Sequence, residues 1–230
     1  MDEGLPALQK RLQHVFSDAK LLTRALTHRS FGPDHNERLE FLGDAVLNLA
    51  VADLLYQRLG QLPEGDLSRV RANLVRQETL HQLALGLHLG PLLRLGEGEA
   101  RSGGAQRASI LADALEALIG AVYLDGGAQG YNHALRLVQQ LFKDVEFTPQ
   151  MAAMGKDAKT QLQEWLQSRR QPVPNYIVTK TEGKAHQQSF EVQCSVPGLS
   201  LVALGSGQSR KAAEQAAAQA LLAVITARGL

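Results

Sequence analysis

Three acids, Glu37, Glu40 and Asp44, stand in the stretch NERLEFLGDAVL at residues 36–47. At about 100° per residue an α-helix gathers them into an arc of roughly 60°. Leu39, Leu42, Val46 and Leu47 recur beside that arc at helical spacing, which predicts a helix with one buried side. Glu40 and Asp44 are four apart, and like charges so placed cost an isolated helix about 0.2–0.5 kcal/mol. Such a row calls for a cation. A second pair, Asp113 and Glu116, lies in ILADALEALIG, where Ile110, Leu111, Leu115, Leu118 and Ile119 mark a largely buried helix. Buried carboxylates are costly unless paired or bound to metal. If the two helices face each other, Glu40, Asp44, Asp113 and Glu116 make an all-oxygen site suited to Mg²⁺ or Mn²⁺. His35 alone stands near either pair in sequence, which argues against zinc. Ion pairs with Arg38, Arg69 or Arg107, or plain solvation, are the alternative for any one of these acids.

The elements that must position these acids are helical up to about Val145. Apolar residues recur every three or four positions in Leu5–Phe16, Ala19–Thr27, Glu37–Leu59, Leu67–Leu87, Ile110–Tyr123 and Asn132–Phe142. Turn chemistry separates them at Gly32-Pro33-Asp34, Pro63-Glu64-Gly65-Asp66, Gly90-Pro91, Gly103-Gly104 and Asp125-Gly126-Gly127. Residues 147–156, FTPQMAAMGK, lack periodicity and are expected to be a linker. Beyond Asp157 the pattern changes. Thr160 to Arg169 predicts a helix, and Asn175–Thr181, Ser189–Ser195 and Ser200–Gly205 predict three short strands. Ser209 opens an Ala-rich helix to about Ala227. The fold class expected is multidomain: an all-α domain over 1–146, then a small α+β domain of order α-β-β-β-α over 157–227.

Composition narrows the function only a little. With 44% apolar and 20% charged residues among 230, the chain reads as a soluble globular protein. One cysteine, Cys194, excludes an intrachain disulfide framework and a cysteine-based zinc cluster. The acidic start MDEGLPALQK has no apolar signal segment, and no apolar run reaches the roughly 18 residues of a spanning helix, so a cytoplasmic protein without membrane partners is expected. The near-neutral total hides an asymmetry. Residues 1–156 carry 16 Lys and Arg against 18 Asp and Glu, whereas residues 157–230 carry 8 against 5. A mildly basic tail on a mildly acidic body points to separate tasks.

NERLEFLGDAVL resembles the signature of the bacterial ribonuclease III family, endonucleases that cleave double-stranded RNA. ALTHRS (residues 25–30), EGDLSRVRANLV (64–75) and the run from Ser102 to Asp125 containing SILADALEALIGAVYLD are similar to further family segments, in the family's order. The resemblance covers essentially the whole chain. It places metal-binding acids at Glu40, Asp44, Asp113 and Glu116, with Asp44 and Glu116 catalytic, and accessory acids at Glu37 and Glu64 close to the RNA. Gln106 and Ala108 depart from the charged residues common there, which bears on RNA contacts near that loop and not on the metal site. The implied chemistry is Mg²⁺-assisted hydrolysis, with Mn²⁺ as a substitute, giving 5′-phosphate and 3′-hydroxyl ends. Glu116 is expected to be the most sensitive acid because its longer side chain can reach a second metal. The family is homodimeric, and two acidic clusters under two-fold symmetry suit the two strands of a duplex. Phe41, beside the acidic row, is read as core packing or as a dimer contact. Ribosomal RNA precursors and structured messenger RNAs are the substrates the resemblance implies.

The basic tail has its own signals. Gly205 and Gly207 precede Ser209, Arg210 and Lys211, but Arg210 occupies the third glycine position of a dinucleotide fingerprint, so that reading is set aside. A helix N-terminus with two cations suits a phosphate backbone. The α-β-β-β-α order resembles the double-stranded-RNA-binding domain, on DAKTQLQEWLQ, PNYIV, GKAHQQSFEV and the Gly205–Ala218 stretch. The resemblance assigns a minor-groove contact to Thr160, Gln163 and Glu164, a second to His186, and phosphates to Ser209, Arg210 and Lys211. Such modules read A-form shape over about 16 bp. His186 alone would be a surface turn histidine, and Trp165 is expected in the core. Two other classes compete: a non-catalytic RNA-binding scaffold, and a metal-dependent hydrolase of another phosphoester. A degenerate scaffold would have lost an acid at position 40, 44, 113 or 116, and none is lost. The basic module argues against the other hydrolase.

Overall fold

The structure is a computed structural model that describes residues 4–148, 151, 157–183 and 188–228. The chain divides into two compact units, Met1–Met154 and Gly155–Leu230. The first is helical. It contains α1 (Gly4–Leu12), α2 (Ala19–Ala25), α3 (Glu37–Arg58), α4 (Glu64–Leu74), α5 (Gln77–Gly86), α6 (Glu97–Arg101), α7 (Ala108–Asp125) and α8 (Gly130–Leu141). Its organising element is α7, whose Leu111, Leu115, Leu118 and Ile119 are fully buried, and α3 lies along it. Two helix-interior glycines set that contact. A methyl built on Gly43 of α3 would overlap the carbonyl oxygen of Glu116, and one on Gly120 of α7 the carbonyl oxygen of Leu39. Glycine weakens a helix interior by roughly 0.5–1 kcal/mol relative to alanine. Here it lets two backbones touch, and that approach carries the acids of α3 to those of α7.

Local hydrogen bonds hold the entry to α3. Asn36, 3% exposed, donates its backbone N–H to the Thr27 carbonyl and accepts from Leu39 and Glu40 N–H at 2.8 and 2.9 Å. Thr27 bridges to Arg94 in parallel, with His28 N–H donating to the Arg94 carbonyl at 3.0 Å. The ALTHRS segment is thereby pinned beside the first turn of α3.

One expected element is divided. The pattern from Leu67 to Leu87 predicts a single helix, but the chain breaks at Val75 and Arg76, the latter in an extended conformation. Neither Gly nor Pro marks the break. Thr79 Oγ1 donates to the Asn73 carbonyl at 2.9 Å, satisfying an end of α4 from the first turn of α5, a tertiary preference that apolar periodicity does not report. Of the linker expected at 147–156, residues 149–150 and 152–156 lie outside the described residues. Phe147 and Met151 pack against the helical core, and the Arg58 guanidinium sits 4.7 Å from the Phe147 ring centre.

The second unit runs α9 (Ala158–Ser168), β1 (Asn175–Glu182), β2 (Ser189–Val196), β3 (Leu201–Gly207) and α10 (Arg210–Ala227). The strands form an antiparallel sheet of order β1-β2-β3, with Val192 opposite Val178 and Gly205. Asp157 caps α9 by accepting from Thr160 N–H at 2.7 Å, and Ser209 caps α10 by accepting from Ala212 N–H at 3.1 Å. Leu162, Leu166, Val192, Cys194, Leu201, Ala217 and Leu221 make the core between sheet and helices. Trp165 is half-buried against it, with the Arg169 guanidinium 4.3 Å from its ring centre, as expected for a packing residue. The α-β-β-β-α order is present as read from the sequence. No described helix is long and apolar enough to cross a membrane.

Candidate active site

The crossing of α3 and α7 brings Glu40, Asp113 and Glu116 together, with one carboxylate oxygen of each within 4.8 Å of the others. All three are half-buried. Asp44 is exposed one turn along α3, where Asn48 Nδ2 donates to its Oδ1 at 2.8 Å. That i,i+4 bond ties the carboxylate to its own helix, and Asp44 stands outside the trio, near enough to raise the Glu116 carboxyl. Glu37 lies at the rim, paired with Arg29 Nη1 at 3.2 Å and near His35 Nδ1 at 3.7 Å. Glu64, in the first turn of α4, accepts from Ser68 Oγ at 2.7 Å and lies outside the trio. The ion pairs weighed as an alternative are not found among the described residues: Arg69 pairs with Asp66, and Arg107 with Glu99.

A cavity of about 540 Å³ opens beside the trio, lined in part by Glu40 and Asp113 and by His28, Arg29, Ser30 and Arg107. Arg107 was expected only as an ion-pair partner of the acids, and His28 and Arg29 carried no expectation. The signal available was the proximity of ALTHRS to the acidic row, with Arg29 eight positions before Glu37. Gly43 and Gly120 were missed as well, although glycine inside a long helix is itself a mark of close approach.

The site's electrostatics follow from crowding and burial. Burial, then Asp113, Glu37 and Asp44, raise the Glu40 carboxyl, against a lowering by Arg29. Burial raises Asp113, while His28 and Arg29 oppose. Glu116 is pushed up to about 8, first by burial and then by Asp44, Asp113 and Glu40. Half-buried carboxylates with raised proton affinity, all oxygen donors, fit a hard divalent cation. Linkage gives a sign. The folded, metal-free protein keeps a proton on Glu116 that the unfolded chain releases above 4.5, so this contribution is complete below 4.5 and lost as pH rises towards about 8. The melting temperature in EDTA is therefore expected to fall between pH 5 and 8, and Mg²⁺ to restore more at pH 8 than at pH 6. Equal Mg²⁺ gains at both pH values in thermal melts would contradict that coupling.

In the second unit, Ser209, Arg210 and Lys211 are exposed at the start of α10. Arg210 Nε donates to Glu214 Oε1 at 2.9 Å, and Lys159 Nζ meets Glu214 Oε2 at 2.6 Å, so Glu214 anchors both cations. Lys211 makes no ion pair among the described residues. Gln163 and Glu164 are exposed on α9 and Thr160 is half-buried. His186 lies outside the described residues.

A helical unit with a crossed pair of acid-bearing helices is followed in the chain by an α-β-β-β-α module. Residues 18–145 match the family model described as ribonuclease-III-like, and residues 158–225 the double-stranded RNA binding motif. The chain is 65% identical over 229 residues to ribonuclease 3 of Variovorax paradoxus, covering 100% of this chain and 99% of the relative. It is 62% identical over 224 residues to ribonuclease 3 of Delftia acidovorans, covering 97% of each. Among solved structures, the nuclease domain of ribonuclease III from Campylobacter jejuni matches at 42% identity and a TM-score of 0.58, over 64% of this chain and 100% of that one. A second structure of that domain, whose description names a region involved in dimer formation, matches at 43% identity and a TM-score of 0.56, over 60% of this chain and 99% of that one. The chain belongs to the ribonuclease III family and is an endoribonuclease acting on double-stranded RNA.

Proposed function

We propose that the chain is a Mg²⁺-dependent homodimeric endonuclease that hydrolyses both strands of duplex RNA to 5′-phosphate and 3′-hydroxyl ends. The observation that carries this reading is the convergence of Glu40, Asp113 and Glu116 across the crossing of α3 and α7. These three, joined by Asp44, hold the metal; Mn²⁺ has the same ligand preference. When bound, Mg²⁺ supplies Lewis-acid activation of water and neutralises charge at the phosphodiester. Glu116, whose carboxyl is pushed up by burial and neighbouring acids, would give up its proton to hold a cation, and Asn48 holds Asp44 through its Nδ2. Glu37 and Glu64 act next to the RNA. Residues 1–146 perform the chemistry, and residues 157–227 grip the duplex through Thr160, Gln163, Glu164, His186, Ser209, Arg210 and Lys211. Precursors of ribosomal RNA and structured messenger RNAs in the cytoplasm are the proposed substrates.

Two-fold pairing along α3 has physical support. Phe41 is 82% exposed, which removes core packing and leaves the dimer contact of its two alternatives. Phe41, Ala45, Leu49 and Tyr56 are all exposed within an arc of about 80° on α3. Phe41 itself borders a cavity of about 760 Å³, lined by Pro33, Leu39, Leu42 and Leu124 and by charged residues including Arg24, Asp34 and Arg38. Phe41→Ala is expected to weaken the dimer on the order of 100-fold, about 3 kcal/mol, in sedimentation equilibrium. An unchanged dissociation constant would remove α3 as the interface. The activity is tested with the purified chain and end-labelled duplex RNA in Mg²⁺ or EDTA. Mg²⁺-dependent cuts with 5′-phosphate ends are expected; binding without cutting, or equal cutting of single strands, would refute the reading.

A further inference from the structure

Outside the acidic cleft, two histidines and a buried carboxylate meet at the end of α7. His14, just past α1, has its Nε2 2.8 Å from Asp125 Oδ2, with side chains 11% and 3% exposed. The ring of His133, near the start of α8, stands 5.4 Å from the His14 ring, centre to centre. All three residues line one cavity of about 360 Å³. We propose that this is a second metal site, in which His14 and His133 bind a transition ion such as Zn²⁺ and Asp125 orients His14.

The carboxylate sets the state of the first histidine. Burial would raise the Asp125 carboxyl, but the N–H groups of Asp18 and Ser17, at 2.8 and 3.0 Å, and His14 outweigh it and hold it low. Asp125 is therefore ionised at neutral pH and can only accept, so His14 Nε2 carries the hydrogen and Nδ1 of the neutral ring keeps a lone pair. Metal-bound histidines are fixed in this way, the other ring N–H donating to a carboxylate. Among the described residues Asp125 has no Lys or Arg partner, although Arg136 borders the cavity. A buried negative charge so placed favours a cation nearby.

His133 supplies the second imidazole. Its Nδ1 is buried without a hydrogen-bond partner, a polar atom left unsatisfied. Two imidazoles on one tetrahedral ion, each bonded at about 2.0–2.1 Å, hold their ring centres about 5 Å apart, close to the separation found here. A half-turn of the His133 ring exchanges its nitrogen and carbon positions in the same slot, so either edge can face the ion. The His14 ring is held in advance. Phe16 meets it edge-on at 4.8 Å between centres, and its backbone N–H donates to the Gln9 carbonyl at 3.1 Å. Gln13, immediately before it, has φ +52°, a left-handed conformation uncommon for a residue other than glycine. Backbone strain of this kind gathers where a side chain must be aimed. Imidazole suits Zn²⁺, whereas Mg²⁺ prefers the carboxylate oxygens of Glu40, Asp113 and Glu116, so the two sites select different ions. A bound ion fastens the chain after α1 to α8, and the cavity leaves room for waters to complete its coordination.

The test titrates Zn²⁺ into the full-length protein in excess Mg²⁺, following occupancy by competition with a chromophoric chelator. Wild type is compared with His14→Gln, His133→Gln and, as a control away from the cavity, His81→Gln. Zn²⁺ affinity is expected to fall at least about tenfold in each of the first two variants and to stay at the wild-type value in the control. Zn²⁺ should also raise the melting temperature of wild type and of His81→Gln but not of the other two, since an ion held only by the folded state stabilises it. His133→Gln leaves the His14–Asp125 contact intact, so it decides the matter even if His14→Gln folds poorly. No Zn²⁺ binding by wild type in Mg²⁺, or equal affinity in wild type and His133→Gln, overturns the site and leaves His14 and Asp125 as a structural pair.

Discussion

Glu116→Gln is expected to lower kcat on duplex RNA in Mg²⁺ by at least about 10³-fold, a loss of roughly 4 kcal/mol in the transition state. Glutamine keeps the shape and one oxygen but cannot become anionic. Glu116 is the acid most strongly pushed up, because Asp44, Asp113 and Glu40 crowd it in a half-buried position. Its negative charge in the free protein is unfavourable, and only a cation reverses that. The same substitution should therefore stabilise the metal-free protein. A gain of about 1 kcal/mol at pH 8 corresponds to roughly 2–4 °C in melting temperature for a unit of this size. Duplex binding in EDTA should be unaffected, since the exposed cations on α10 are untouched. Turnover within tenfold of wild type would remove Glu116 from the reaction.

Gly43→Ala is expected to lower the melting temperature by about 10 °C, equivalent to roughly 3–5 kcal/mol, and to abolish cleavage. On an isolated helix this substitution would be favourable by roughly 0.5–1 kcal/mol. Here the added methyl meets the backbone of Glu116, which cannot rotate away. α3 and α7 must separate, which opens the core and parts Glu40 from Asp113 and Glu116. Stability and Mg²⁺ affinity should fall together, read by circular dichroism melts with and without the metal. A stable variant with full activity would mean that the contact does not set the site.

Much of this was legible in the sequence, for identifiable reasons. The acidic row of α3 and the pair on α7 were visible because helical periodicity fixes which residues share a face. Their convergence was open on spacing alone and implied by the resemblance, because crossing geometry depends on where backbones can touch, which Gly43 and Gly120 allow here. Periodicity and turn chemistry showed the order of the two domains, and family resemblance supplied their roles. The division of α4 from α5 was invisible, since a side-chain bond from Thr79 to Asn73 makes it without Gly or Pro. Phe41 stood open between core packing and a dimer contact because periodicity marks apolar residues without telling a buried face from an exposed one; its exposure removes the core option. Arg29 went unassigned, and Arg107 was read only as an ion-pair partner of the acids, because they come from segments far apart in sequence and meet only in the cleft.

The metal site is tested most directly by diffraction from crystals grown with Mn²⁺, using its anomalous signal to locate the ion. The expected result is a peak among Glu40, Asp113 and Glu116, with Asp44 turned in from Asn48 and no peak in Glu116→Gln. A peak elsewhere, or none at a Mn²⁺ concentration that supports cleavage, would contradict the assignment of these acids as the catalytic centre.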